Sequence, residues 1–210
     1  MKKILSKQSN FWLSKSHLYS KKKSNSFFKW KIFYGCPFFK KILKKTNPKT
    51  IMEIGTNIGI NLHYIRKIDY QKKIKIDAIE VNKKICDQLK KNKKLKINCV
   101  INEDILNYSG NKKYDLVFTK GLLIHIDPKN LNKVINKIIK MSKKYILIIE
   151  YFSHKPTSIK NYRGKKDLLF KRDFGKLFLK KNLKCIDYGF LWKEKELVFD
   201  NLNWWIFKKT

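Results

Sequence analysis

Acidic residues are scarce in this chain of 210 residues, which has 16 Asp and Glu against 50 Lys and Arg. The formal charge of +34 would by itself favour a polyanionic partner. Arginine is scarce too, because only Arg66, Arg163 and Arg172 occur among the basic residues. Surfaces that bind phosphate usually draw on arginine as well as lysine. The lysine excess therefore favours drift in surface composition over selection for nucleic acid.

Other scarce residue types exclude several classes of protein. With 8 Gly and 4 Pro, the chain is neither collagen-like nor a flexible low-complexity segment. Its 4 Cys are scattered without a CxxC pair, which favours reduced thiols in the cytoplasm over disulfides. The longest apolar runs fall far below the roughly 18 residues of a membrane-spanning helix, and no secretion signal is predicted. The histidines lack ligand spacing, so we expect no metal site.

Apolar strand patterns alternate with helical patterns from residue 50 onward. Strands are predicted over residues 50–55, 74–81, 96–101, 114–120, 145–152, 185–192 and 203–208. Helices are predicted over 58–68, from an Asn82 N-cap to Leu89, from Asp127-Pro128 to about Met141, and from an Asp173 cap to about Lys181. This alternation predicts an α/β fold with a doubly wound, mostly parallel sheet of seven strands. The last two strands, with no helix between them, predict an antiparallel hairpin at one edge.

The first 48 residues differ in composition from the rest. Residues 1–50 contain 14 lysines, no acidic residue and many aromatic side chains. We therefore predict a basic, aromatic-rich arm over 1–48 and an α/β domain over 49–210. Such an arm could stack on bases and contact phosphates. The favoured alternative is a lid whose aromatic side chains cover the core or a ligand.

Several of the scarce acidic residues stand where predicted strands end. Glu53 ends the first strand, Glu80 ends the second, Asp104 follows the third and Glu150 ends the fifth. The carboxyl ends of parallel strands share one edge of the sheet, where ligands bind in doubly wound folds. Carboxylates are costly beside a buried sheet unless they are paired or bound. This row therefore predicts a ligand with several hydrogen-bond donors.

The loop after the first strand reads EIGTNIG over residues 53–59 and departs from the dinucleotide-binding GxGxxG spacing. With a second acid 27 residues after Glu53, it resembles class I S-adenosyl-L-methionine-dependent methyltransferases. That resemblance implies a Rossmann-like methyltransferase fold and this cofactor. Glu80 would accept from the ribose hydroxyls, Asp104 from the adenine amine, and Glu53 would act near the methionine moiety. The expected cofactor-binding residues are Glu53, Gly55, Asn57, Gly59, Glu80, Asp104 and Ile105.

Longer blocks resemble the family of pseudaminic acid biosynthesis-associated methylases. They are FTKGLLIHIDP at 118–128, YILIIEYF at 145–152, YRG at 162–164, LLFKRDFG at 168–175 and DYGF at 187–190. The resemblance implies methylation of an acidic nonulosonic sugar, or its nucleotide-activated precursor, in surface glycan biosynthesis. The expected partner is a small anionic substrate, and the expected location is the cytoplasm.

Methyl transfer to a hydroxyl needs alignment and a base that removes a proton. The candidate catalytic residues are His125 and Glu150. His125 could instead be a packed histidine, and Glu150 could instead order a loop by accepting from backbone amides. Lys120, Tyr162 and Arg163 are the candidate substrate-binding residues. Arg163 is favoured for an anion because a guanidinium pairs bidentately with a carboxylate, whereas Lys120 could equally be surface.

Two other functions remain open at this point. An RNA or DNA methyltransferase could use the basic arm to follow phosphates, although the segment FTKGLLIHI lacks an (N/D)PP(Y/F)-type motif. A binding module could retain the cofactor fold without catalysis. The complete set of candidate cofactor residues favours an enzyme over this second alternative.

Overall fold

The structure, a computed structural model, describes residues 5–15 and 25–209, with the backbone alone for 15 and 25–34. Its α-helices are α1 (Lys7–Lys15), α2 (Asn25–Thr46), α3 (Ile60–Ile68), α4 (Lys83–Lys91), α5 (Pro128–Met141) and α6 (Phe174–Leu179). Its strands are β1 (Thr50–Ile54), β2 (Lys75–Glu80), β3 (Cys99–Asn102), β4 (Tyr114–Lys120), β5 (Ser142–Glu150), β6 (Thr157–Ser158), β7 (Phe170–Lys171), β8 (Lys184–Leu191) and β9 (Leu202–Lys208). None of the described helices combines the length and apolarity needed to cross a bilayer.

Seven of the strands form one sheet in the order β3-β2-β1-β4-β5-β9-β8. Strands β1 to β5 are parallel, and β9 runs antiparallel to both β5 and β8. The predicted doubly wound, mostly parallel seven-stranded sheet with an antiparallel C-terminal strand is confirmed. The strand order reverses between β1 and β4, which opens a crevice at their carboxyl ends.

The last strand of the chain is not the edge strand of the sheet. β9 lies between β5 and β8, so β8 forms the edge. Trp204, Ile206 and Phe207 on β9 are buried, whereas Tyr188 and Phe190 on β8 are exposed. The more apolar strand therefore occupies the interior position, where it is covered on both faces.

The three predicted N-caps are confirmed by their hydrogen bonds. Asn82 accepts from the Ile85 amide (3.1 Å), Asp127 from Lys129 (2.8 Å) and Asp173 from Lys176 (2.8 Å). The predicted boundaries of several elements shift by a few residues. Helix α3 begins at Ile60 rather than residue 58 because the preceding turn has positive φ angles, and α6 ends at Leu179.

The predicted arm contributes to the core of the domain. Phe38, Phe39 and Ile42 on α2 are buried in the core cluster on one face of the sheet. The ring of Phe39 lies 5.5 Å from that of Tyr64 and 5.9 Å from that of Phe118. The C-terminal part of α2 thus packs as an integral element, although the division at residue 48 stays a prediction. Residues 1–4 and 16–24 of the predicted arm lie outside the described residues.

Arg66 ties the end of α3 to the turns that precede β2 and β3. Its Nε donates to the Leu95 carbonyl (2.6 Å) and its Nη2 to the Lys96 carbonyl (2.9 Å). Its Nη1 donates to Asp69 Oδ2 (2.7 Å) and to the Ile74 carbonyl (2.8 Å). Because the side chain is 7% exposed, these partners have little access to water when the guanidinium is removed.

We predict that Arg66→Met strongly destabilises the fold. The substitution leaves three carbonyl groups without their donor and removes the cation paired with Asp69, whose carboxylate keeps only the amides of Lys73 and Ile74. This loss should cost about 3–5 kcal/mol of unfolding free energy. Urea denaturation followed by circular dichroism measures the change. Lys67→Met removes a neighbouring exposed cation and should change stability by about 0.5 kcal/mol or less. Equal effects of the two variants would contradict the structural role of Arg66.

Candidate functional site

A cavity opens at the carboxyl ends of β1, β2 and β4, where the strand order reverses. Its walls are formed by the loop after β1, the ends of β2 and β3, the segment after β4, and helix α1. The predicted site residues in its wall are Gly55, Asn57, Glu80, Asp104, Ile105, Lys120 and His125. The others, which contact or adjoin wall residues, are Glu53, Gly59, Glu150, Tyr162 and Arg163.

Glu53 orders the loop that follows β1. Its Oε2 accepts from Thr56 Oγ1 (2.5 Å) and its Oε1 from Asn61 Nδ2 (2.7 Å). The carboxyl is 1% exposed, and burial raises its pKa to about 7 against the lowering effect of these hydrogen bonds. Glu53 thus lies behind the cavity wall and holds Thr56 and Asn61 in that wall.

The two glycines of this loop are required by its backbone. Gly55 and Gly59 have φ angles of 74° and 78°, which side-chain-bearing residues rarely adopt. A Cβ at Gly55 would lie 2.9 Å from Leu122 Cδ1, and one at Gly59 would lie 2.9 Å from Leu89 Cδ2. Glycine at both positions therefore lets the loop turn out of β1 and pack closely against the neighbouring segments without strain.

Glu80 joins the ends of β1 and β2 at the cavity. Its Oε2 accepts from the Asn57 amide (2.8 Å), and its Oε1 accepts from the Asn82 amide (2.9 Å). Burial raises the pKa of this carboxyl, while the two amides lower it. Both oxygens are thus held in place by backbone donors while the side chain lines the cavity.

Asp104 follows β3 and contacts the helix that covers the cavity. Its Oδ1 accepts from the Leu106 amide (2.9 Å), and its Oδ2 accepts from Ser9 Oγ on α1 (2.5 Å). The side chain is buried, and the adjacent Ile105 supplies an apolar part of the wall. Asp104 and Glu80 therefore present two carboxylates to the same cavity from adjacent strands.

His125 lies in the opposite wall, at the end of a short 3-10 helix over Leu123–His125. Its Nδ1 is 2.6 Å from the Leu168 carbonyl oxygen, which can only accept. Nδ1 therefore carries the proton, and Nε2 holds the free lone pair. Burial lowers the pKa of the imidazole to about 4, so the ring is neutral at physiological pH. The rings of Trp12 (4.8 Å) and Tyr162 (5.3 Å) lie against it.

Glu150 supports the segment that carries this histidine. Its oxygens accept from three successive backbone amides and one hydroxyl, namely Leu122 N (3.0 Å), Leu123 N (2.9 Å), Ile124 N (3.4 Å) and Thr119 Oγ1 (3.3 Å). Burial raises the pKa of the carboxyl to about 7, although these donors lower it. The contacts correspond to the loop-ordering alternative for Glu150 rather than to a group facing the cavity.

Of the three candidate substrate-binding residues, Tyr162 and Arg163 lie near His125, and Lys120 lies in the cavity wall. Arg163 has a φ of 54° in a turn closed by backbone hydrogen bonds between Tyr162 and Lys165. Its guanidinium carbon is 5.4 Å from the Trp12 ring centroid and 5.2 Å from that of Tyr162. Lys120 lines the cavity, with its Nζ 5.2 Å from the centroid of the Phe199 ring.

The sequence patterns missed the residues of α1 that close the site. Gln8, Ser9 and Trp12 all line the cavity. Asn82, predicted only as an N-cap, also donates through Nδ2 to the carbonyl of Leu13 (3.0 Å). The aromatic content of the arm favoured a lid, but no local pattern indicates which loops that lid contacts.

No protein-family model matches the sequence, and no curated protein matches it either. Solved structures, in contrast, are similar to this chain. Magnesium protoporphyrin IX methyltransferase from Synechocystis PCC 6803, solved with bound S-adenosylmethionine, has a TM-score of 0.66 at 10% identity, and the match covers 100% of both chains. The fold is that of class I methyltransferases.

Two further solved structures show the same likeness. The Burkholderia thailandensis 1,6-didemethyltoxoflavin-N1-methyltransferase has a TM-score of 0.67 at 10% identity, with coverage of 100% of this chain and 93% of that one. A putative S-adenosylmethionine-dependent methyltransferase from Listeria monocytogenes has a TM-score of 0.60 at 13% identity, with coverage of 81% and 95%. At such low identities the likeness establishes the fold alone.

We predict that Glu150→Gln reduces the dependence of stability on pH. As the pH rises from 4.5 to about 7, the unfolded chain loses a proton that the folded Glu150 keeps, so the free energy of unfolding falls. Glutamine cannot ionise, so the variant should lack up to about 3 kcal/mol of this pH-dependent fall in unfolding free energy. Urea denaturation at pH 5 and pH 8 measures it.

Glu53 also has a pKa of about 7. Its effect on the unfolding free energy is the same in the wild type and in Glu150→Gln, so it cancels when the two are compared. Glu194→Gln, at an exposed glutamate, is the matched control and should keep the wild-type profile. If the unfolding free energy of Glu150→Gln depended on pH as that of the wild type does, the Glu150 carboxyl would be ionised in the folded protein throughout this range. That result would contradict the prediction.

Proposed function

We propose that the chain is an S-adenosyl-L-methionine-dependent methyltransferase that acts on a small acidic sugar or its nucleotide-activated precursor. The observation that carries this proposal is the pairing of Glu80 and Asp104 in one cavity, at the ends of adjacent strands. A ribose diol and an adenine amine are donors that suit two neighbouring carboxylates. Solved proteins of the same fold hold S-adenosylmethionine or S-adenosylhomocysteine, which supports the same cofactor here.

The described residues fit this cofactor at its other end as well. Asn61 Oδ1 is buried in the cavity wall and has no hydrogen-bond partner in the described structure. A buried acceptor without a donor is costly, and the ammonium of the methionine moiety would supply one. Glu80 would hold the ribose hydroxyls, Asp104 the adenine amine and Asn61, backed by Glu53, the ammonium.

The bound cofactor supplies a methyl group on an electrophilic sulfonium. In this proposal His125 acts as the base, because Nε2 carries the lone pair while Leu168 holds the proton on Nδ1. Its low pKa keeps the imidazole neutral down to about pH 5. Glu150 acts through position alone, since its hydrogen bonds fix the backbone segment that ends at His125.

The acceptor side of the site suits an anionic substrate. Arg163, whose guanidinium lies near the rings of Trp12 and Tyr162, would pair bidentately with a carboxylate or a phosphate. Lys120 adds a second cation in the cavity wall, and the charge of +34 speeds the encounter with anions. The sequence blocks that resemble pseudaminic acid biosynthesis-associated methylases support a nonulosonic sugar. The four scattered cysteines, without a CxxC pair, support a cytoplasmic location.

A nucleic-acid substrate has less support from the geometry. Helix α1, the part of the basic arm described next to the site, packs over the cavity through Ser9 and Trp12. This placement narrows the approach to the cavity instead of forming an open groove for a polynucleotide. A small acceptor is therefore the better fit.

We predict that Glu80→Ala weakens cofactor binding about 10-fold to 100-fold, because hydrogen bonds to a charged group contribute about 1.5–3 kcal/mol. Isothermal titration calorimetry with S-adenosylhomocysteine measures this affinity. Asp87→Ala removes a half-exposed carboxylate of α4 that pairs with Lys83 and should bind as the wild type does. Unchanged affinity in Glu80→Ala, or no binding by the wild type, would refute the cofactor assignment.

We predict that Arg163→Ala raises the KM for a nonulosonic acceptor about 10-fold and changes cofactor affinity by less than about twofold. Arg163→Lys should recover only part of the loss, because lysine lacks the planar fork. Mass spectrometry of the methylated product, with a panel of free and nucleotide-activated nonulosonic acids, measures the rates. Lys166→Ala, at an exposed lysine nearby, should leave the KM unchanged. A loss of cofactor binding in Arg163→Ala would sink its assignment to the acceptor.

A further inference from the structure

Helix α1 is attached to the cofactor side of the cavity by polar contacts. Ser9 Oγ donates to Asp104 Oδ2 at 2.5 Å. Near the C-terminal end of the helix, Asn82 Nδ2 donates to the Leu13 carbonyl at 3.0 Å. Both partners follow strand ends that carry the proposed cofactor site, so this side of α1 depends on the state of that site.

The same helix face reaches the acceptor side. Trp12 lies three residues after Ser9, which places both side chains on one face of the helix. The Trp12 ring contacts His125 at 4.8 Å and the Arg163 guanidinium at 5.4 Å. Gln8 Nε2 donates to the carbonyl of Asp167 (3.1 Å), in the loop that follows the Arg163 turn.

Helix α1 has little stability of its own. It spans 9 residues, and isolated helices shorter than about 12 residues are marginal in water. Within it, Gln8 and Phe11 are the side chains described as buried. Its position over the cavity therefore depends on a few contacts with the two sides of the site, and a ligand that strengthens one of them shifts its population.

We propose that α1 is a clamp that closes when the cofactor binds beside Asp104 and that then completes the acceptor pocket through Trp12. The proposal rests on the cofactor site proposed above. Closure brings the Trp12 ring to within 5.4 Å of the Arg163 guanidinium carbon. This contact positions the side chain that is proposed to bind a carboxylate or phosphate of the acceptor. Trp12 is thus a positioning residue, and the cofactor binds before the acceptor.

Asp104 can serve the helix and the cofactor together. A carboxylate offers about four lone-pair sites, and the Leu106 amide and the Ser9 hydroxyl occupy two of them. An adenine amine can therefore bind while Ser9 stays in place, and the bound adenine also shields the Ser9 contact from water. The two ligands of Asp104 then strengthen one another, which gives positive coupling between cofactor binding and closure.

Hydrogen-deuterium exchange of the full chain, with and without S-adenosylhomocysteine, tests the clamp. We expect the ligand to slow exchange in residues 5–15 and also in the turn around Arg163, where the amides of Ile159, Tyr162 and Lys165 are hydrogen-bonded. Ser9→Ala should weaken S-adenosylhomocysteine binding about threefold to tenfold, as expected for one hydrogen bond. Ser14→Ala, whose hydroxyl bonds within the helix to the Phe11 carbonyl, should bind as the wild type does.

Trp12 variants separate positioning from a general effect on the fold. In Trp12→Ala, the ligand should still slow exchange around Asp104 but should no longer slow it in the Arg163 turn. Trp12→Phe keeps an aromatic ring for the guanidinium and should restore the effect in that turn. A merely structural role for Trp12 would instead change exchange in the turn equally with and without ligand, which would overturn the proposal.

The remaining outcomes distinguish the clamp from the function on which it rests. If the wild type binds S-adenosylhomocysteine but exchange in the Arg163 turn does not change, the clamp is wrong and the cofactor assignment stands. The same conclusion follows if Ser9→Ala binds as tightly as Ser14→Ala. If the wild type binds no S-adenosylhomocysteine, the proposed function fails and the clamp fails with it.

Discussion

Carboxylates buried at one edge of a parallel sheet need hydrogen-bond donors, and meeting that need organises the whole site. Glu53 is satisfied by two side chains of the loop after β1, and Glu80 by amides from two neighbouring loops. Glu150 is satisfied by the amides of residues 122–124, and Asp104 by one amide and one hydroxyl of α1. Each acid thereby fixes one or two of the segments around one cavity, because an unpaired buried charge would be too costly.

The lysine-rich composition has little part in this architecture. Most lysines are exposed, whereas the acids in the site are buried. Acids outside the site serve structure in the same way. Asp115 accepts from the amides of Lys49 and Thr50 at the opposite edge of the sheet, and Asp69 binds the buried Arg66. In a chain with so few acids, these structural uses account for much of where they occur, and the positive surface acts mainly on encounter with anions.

The two halves of the candidate site rest on different kinds of structure. The proposed cofactor half is built on strand ends, where Glu80 lies opposite Asn102 and Asp104 follows two residues later. The proposed acceptor half is built on α1 and on the irregular segment that carries Tyr162 and Arg163. Strand ends are rigid and similar across a fold, while loops vary and carry specificity. This difference explains why the fold supports a cofactor class more directly than it supports an acceptor.

The seven strands of the main sheet, the N-caps and the row of acids could be predicted from the sequence, because they depend on local periodicity and on residues a few positions apart. The two short strands β6 and β7 were not predicted. Only the tertiary structure decided the rest. The interior position of β9, the tautomer of His125 set by Leu168, and the contacts of Ser9 and Trp12 all join residues far apart in the chain. Such contacts depend on how the finished elements pack, and no local pattern of side chains encodes that packing on its own.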